Sequence, residues 1–86
     1  MVITLDGTCM TDREAIHDHL AKQLKLPDYY GRNLDALYDI LTDRCEPMTV
    51  ILTHKNCLSD YGLRVMHTLQ DAANTNPAIK YEEKDC

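Results

Sequence analysis

The stretch Met48-Thr49-Val50-Ile51-Leu52-Thr53 constrains this chain most. Pro47 stops the chain just before it, and the run is apolar and β-branched, so it reads as a strand. It is more apolar than the other strand candidates, and it is expected at the centre of a sheet with both faces covered. Two weaker strands flank it in sequence. Val2 to Leu5 alternates in character and ends in the turn signal Asp6-Gly7, and Ala78-Ile79-Lys80-Tyr81-Glu82 alternates again near the end.

Helical patterns fill the intervals. Thr11 and Glu14 stand in the S/T-x-x-E spacing of a capping box, and Ile16, Leu20 and Leu24 recur every fourth residue behind them. A helix over about 12–25 follows, closed by Pro27. After the loop Pro27 to Arg32, Asn33 is a good N-cap for a helix from Leu34 to Thr42. Ser59 or Asp60 caps a longer helix that buries Val65, Met66, Leu69 and Ala72 or Ala73, and Asn74 to Pro77 breaks it. The polar tail Lys84-Asp85-Cys86 is expected to fray. The order strand, helix, helix, strand, helix, strand argues for an α/β fold with a parallel sheet and right-handed crossovers. Its 86 residues suit one domain over 1–86.

Charge narrows the partners. With 14 acidic and 9 basic side chains the net charge is −5, so direct binding to nucleic acid is disfavoured and a basic partner is favoured. No apolar run approaches the roughly 20 residues that span a bilayer, and the N-terminus lacks the features of a signal peptide. The chain is therefore expected to be cytoplasmic, with no membrane contact and with Cys9, Cys45, Cys57 and Cys86 as free thiols, Cys86 exposed. No cofactor or metal is expected. His17 and His19 are two apart on a helix and point to different sides, and His54 with Cys57 lacks a partner pair. His67 reads as a surface or hydrogen-bonded histidine. With three glycines, the chain has no Gly-rich phosphate loop.

The informative segment is Asn33 to Thr42. At about 100° per residue, Asp39 falls about 40° from Asp35, with Tyr38 and Thr42 within about 60° on the other side. Leu34, Leu37 and Leu41 gather on roughly the opposite side, with Ile40 at the margin. Asp35 in the first turn complements the helix dipole. Asp39 has no such excuse: there is no Lys or Arg at 35, 36, 42 or 43 to pair with it, and Asp43 adds repulsion near the negative helix end. The helix has traded some stability for a field. An ordinary solvated acidic face is the competing reading.

Leu26 to Thr42, LPDYYGRNLDALYDILT, resembles the core motif of the barstar family, inhibitors of barnase-type ribonucleases. The likeness is specific over these residues and becomes one of pattern beyond residue 45. It implies a small three-stranded parallel sheet with three to four helices, and no enzymatic activity. It implies a bacterial ribonuclease as partner, held in a one-to-one complex, with the chain acting as antitoxin or immunity protein. By the same resemblance Asp39 corresponds to the central acidic anchor and Asp35 to its neighbouring carboxylate. Tyr29 corresponds to the aromatic of the preceding loop and Gly31 to the small turn residue, while Asn33 and Thr42 match the edge of the interface. Tyr38 stands where the best-known member has Trp. Asp71 falls near a second acid on the last long helix. Asp43 and Arg44 replace a Gly and a Trp of the pattern, which points to a different, less basic enzyme surface. Two other classes remain open: a binding module of this fold for a basic, non-nuclease protein, and a small enzyme using Asp35 and Asp39 as an acid–base pair.

Overall fold

The computed structural model describes residues 1–84. β1 (Val2–Asp6) passes through a 3-10 turn at Gly7–Cys9 into α1 (Arg13–Leu24), followed by α2 (Leu34–Thr42). β2 (Met48–Thr53), a second 3-10 turn at Lys55–Cys57, α3 (Asp60–Thr75) and β3 (Ile79–Lys84) complete the order expected from the sequence.

The sheet runs β1-β2-β3, all parallel, so β2 is central. Val50 lies between Ile3 of β1 and Tyr81 of β3, and Leu52 between Leu5 and Glu83. Both crossovers step the same way across the sheet. Right-handed connections then place every helix on one face. Burial agrees: Ile3, Leu5, Met48, Val50, Leu52 and Ile79 share one core with Ile16, Leu20 and Leu24 of α1, Leu37 and Leu41 of α2, and Val65, Met66, Leu69 and Ala72 of α3. The opposite face is open. Val2 is 68% exposed there, Thr4, Lys80, Glu82 and Lys84 are exposed, and Thr49, Ile51 and Thr53 are half-buried. The expectation that β2 is covered on both faces is thus corrected. Its second set of side chains is β-branched, which suits a pleated, half-wet surface as well as a buried one.

Helix ends follow local chemistry, with one shift from expectation. The N-cap of α1 is Asp12, not Thr11: its carboxylate accepts the Ala15 N–H at 2.8 Å. Ala15 therefore occupies the position where a capping box needs an acid, and Glu14 instead complements the dipole within the first turn. Asn33 caps α2 as expected, and Ser59 rather than Asp60 caps α3, its hydroxyl accepting from the Gly62 N–H at 3.2 Å. Asp6 caps the first 3-10 turn. Gly7 beside it is obligatory, because a Cβ there would lie 2.2 Å from the His54 carbonyl oxygen. β3 continues through Lys84, so that residue is part of the sheet rather than a frayed tail. Asp85, and Cys86 with its expected exposure, lie outside the described residues. Cys9, Cys45 and Cys57 are free and exposed. Among the described residues no helix is long and apolar enough to cross a membrane.

Candidate functional site

α2 is two-sided, as its periodicity requires. Leu37 and Leu41 are fully buried, Leu34 and Ile40 half-buried, and Asp35 and Asp39 exposed on the other side. The ion pairs of the structure lie elsewhere: Arg32 with Asp18 at 2.7 Å, His54 with Asp6 at 3.0 Å, and Lys55 with Glu83 at 3.3 Å. Among the described residues none of Asp35, Asp39, Asp43 and Asp71 has a cationic partner, so their field is directed outward. The remaining capacity of this face is to accept charge-assisted hydrogen bonds.

Both ends of the helix are held by side chains. At the N-terminus the Asn33 side chain accepts the Ala36 N–H at 2.8 Å and donates to the Gly31 carbonyl at 3.2 Å, tying loop to helix. At the C-terminus, orphan carbonyls need donors. Buried Asn76, immediately after α3, supplies them: its Nδ2 donates to the carbonyls of Leu41 (3.0 Å), Thr42 (3.4 Å) and Arg44 (2.8 Å), and its Oδ1 accepts the Ala78 N–H (3.0 Å). The Asp43 N–H closes the last turn on the Asp39 carbonyl at 3.1 Å.

The other residues expected around the two central acids are held in different ways. Half-buried Tyr38 joins α2 to α3 through its hydroxyl, 2.8 Å from Thr75 Oγ1. Asp71 is exposed on α3 one turn before Thr75, hence on the flank of the same face. Half-buried Thr42 turns its hydroxyl back onto its own helix, donating to the carbonyls of Tyr38 at 2.9 Å and Asp39 at 3.3 Å. Arg44 is separated from the group: half-buried, it carries its guanidinium to Met1 Sδ at 3.6 Å, on the β1 side.

The preceding loop is anchored so that Tyr29 projects. Tyr29 is 85% exposed, whereas Tyr30 is buried, its hydroxyl 2.6 Å from His17 Nδ1. His17 is itself buried and reaches the Tyr61 hydroxyl through Nε2 at 2.7 Å. A neutral imidazole satisfies both contacts by accepting from one phenol and donating to the other. Burial, then the guanidinium groups of Arg32 and Arg13, hold His17 below its ordinary pKa against the opposing effect of Asp18. Burial and Tyr61 push the Tyr30 phenol up to about 12, partly offset by Arg32. Arg32 adopts a left-handed backbone (φ 54°) and donates to Asp18 at 2.7 Å and to the Glu14 carbonyl at 3.3 Å, fastening the loop to α1.

Asn33, Asp35, Tyr38, Asp39 and Thr42 are therefore brought together, with Tyr29 and Gly31 before them, Asp43 after them and Asp71 alongside. His17 and Asn76 position this group, and sequence reasoning missed both roles. His17 carries no local signal for its two tyrosine partners, which lie 13 and 44 residues away. Asn76 reads as part of a helix-breaking turn.

A three-stranded parallel sheet backed on one face by three helices, with exposed carboxylates on the second helix that have no cationic partner among the described residues, describes a small α/β protein with an acidic helix face. A sequence model of the family described as "Barstar (barnase inhibitor)" matches residues 1–82, and the chain belongs to that family. A protein of Bacillus subtilis (strain 168) named "Putative ribonuclease inhibitor YrdF" is 40% identical over 75 residues, covering 81% of this chain and 82% of that protein. Family and relative support a role of ribonuclease-inhibitor type, that of an inhibitor protein and not an enzyme.

Proposed function

We propose that the chain inhibits a bacterial ribonuclease by seating the acidic face of α2 in its active site, with carboxylates taking the places of RNA phosphates. The observation that carries this reading is that Asp35 and Asp39 sit exposed on a helix whose other side is core, with no cationic partner among the described residues. A ribonuclease surrounds the scissile phosphate with cationic side chains and lines a basic groove for the backbone. Asp39 stands in for the phosphate at the catalytic centre, accepting hydrogen bonds from Arg or His, and Asp35 engages polar groups at the neighbouring base subsite. Tyr29 and Tyr38 supply rigid area that keeps water from the charges. Gly31, Asn33, Thr42, Asp43 and Asp71 form the rim, with Arg44 at the far edge. One inhibitor occupies one active site. In the cytoplasm of a cell that makes a toxic ribonuclease, such a complex serves as antitoxin or immunity protein.

The test compares Asp39→Ala with Asp60→Ala. Asp60 is exposed at the start of α3, about 20 Å along the helix from Thr75. Stranding a cationic centre that has lost its carboxylate partner weakens binding by about a hundredfold or more. Loss of Asp60 should leave inhibition unchanged. Equal, small effects from the two variants would sink the active-site reading.

A further inference from the structure

β3 is an edge strand, and its outward backbone groups have no partner among the described residues beyond the turn that precedes it. Met48 N–H donates to the Ala78 carbonyl at 2.8 Å, and Lys80 pairs with Thr49 in the parallel register. The even-numbered residues of β3 therefore turn their backbone groups toward β2, and Ile79, Tyr81 and Glu83 turn theirs outward. The Ile79 N–H is taken by the Asn76 carbonyl at 3.0 Å. The Ile79 carbonyl and both groups of Tyr81 and Glu83 remain for another strand. The opposite edge is shorter and partly blunted, because the Asp6 N–H at its end is taken by His19 Nε2 at 3.1 Å.

We propose that β3 pairs antiparallel with β3 of a second copy of this chain, with Tyr81 opposite Tyr81 at the two-fold axis. In that register Tyr81 exchanges both backbone hydrogen bonds with its counterpart, and each Glu83 N–H meets the Ile79 carbonyl of the other copy. Side chains on the open face then fall Lys80 opposite Glu82, twice over by symmetry. Slipping the register by two residues in one direction sets Glu82 against Glu82 and Lys80 against Lys84. Slipping it in the other sets Lys80 against Lys80. Charges on an edge strand ordinarily discourage pairing. Here their order makes one register attractive and its neighbours repulsive. Beside the edge, a groove of about 410 Å³ between α3 and β3, lined by Gln70, Ala73 and Asn74, leaves room for side chains of the added strand. The lining includes no residue of α2, so the acidic face stays free and the pairing does not rest on the proposed inhibition.

Sedimentation equilibrium of the free chain, in reducing agent and from micromolar to millimolar concentration, tests this without any ribonuclease. The expected result is a concentration-dependent monomer–dimer equilibrium. Lys80→Glu and Glu82→Lys should each weaken it about tenfold, since each turns two attractive pairs into repulsive ones. The double exchange Lys80→Glu with Glu82→Lys should restore it. A monomer throughout the range overturns the proposal. So does a dimer indifferent to the single reversals, or one that the double exchange fails to restore. Circular dichroism of each variant confirms that these exposed substitutions leave the fold intact.

Discussion

Replacing Asn76 by Ala should remove the C-terminal support of α2. The side chain is 8% exposed, and it makes contacts in both directions: two amide N–H groups serve the carbonyls of Leu41, Thr42 and Arg44, and its oxygen takes the Ala78 N–H. Counting about 1 kcal/mol net for each of three hydrogen-bonding functions lost, the variant should be destabilised by about 3 kcal/mol. A chain of this length has roughly 4–13 kcal/mol in total. The corresponding drop in Tm is about 12–24 °C. Urea unfolding followed by circular dichroism measures the difference directly, with Asn74→Ala as comparison. Asn74 is exposed in the last turn of α3, and its loss should cost less than about 0.5 kcal/mol. A loss at Asn76 below about 1 kcal/mol, or one equal to that at Asn74, would falsify the capping role.

Three further outcomes follow from the packing. Because burial and nearby guanidinium groups hold folded His17 below its ordinary 6.5, the unfolded chain takes up the proton first as pH falls. Stability should be fully present above about 6.5 and decline below it, and His17→Gln should flatten that part of a Tm-against-pH curve. His19, also held low by burial, keeps a residual slope in the variant. Gly7→Ala should destabilise by more than about 2 kcal/mol in a thermal melt, because the new Cβ meets backbone atoms of His54 and Thr53 that cannot rotate away. Association with a ribonuclease, followed by stopped-flow fluorescence, should slow steeply as salt rises, since the net charge of −5 and the unpaired acids of α2 steer the encounter.

The acidic face was legible in the sequence because it depends on one helix and one period. Asn33 at its start and leucines at helical spacing determine which side Asp35 and Asp39 occupy, and burial of Leu37 and Leu41 confirms the rotation. The order of elements was legible for a similar reason, since each has its own local signal. Features that depend on distant partners were not. The apolar run in β2 does not reveal that both crossovers step the same way, which leaves Thr49, Ile51 and Thr53 on an open face. Thr11 and Asp12 are both good caps, and spacing to Glu14 favoured the wrong one. His17 is a polar residue beside the apolar stripe of α1, and only the fold shows that Tyr30 and Tyr61 enclose it. Arg44 likewise reaches Met1, 43 residues away, a contact that no local signal announces.

The most direct measurement is RNA cleavage by a panel of bacterial ribonuclease toxin domains, titrated with the native chain and with Asp39→Ala. The expected result is that one enzyme loses activity linearly and completely at one equivalent of native chain, while the variant leaves it active at the same ratio. Folded native chain that inhibits none of them, or Asp39→Ala that inhibits as well as the native chain, contradicts an active site filled by the acidic face of α2.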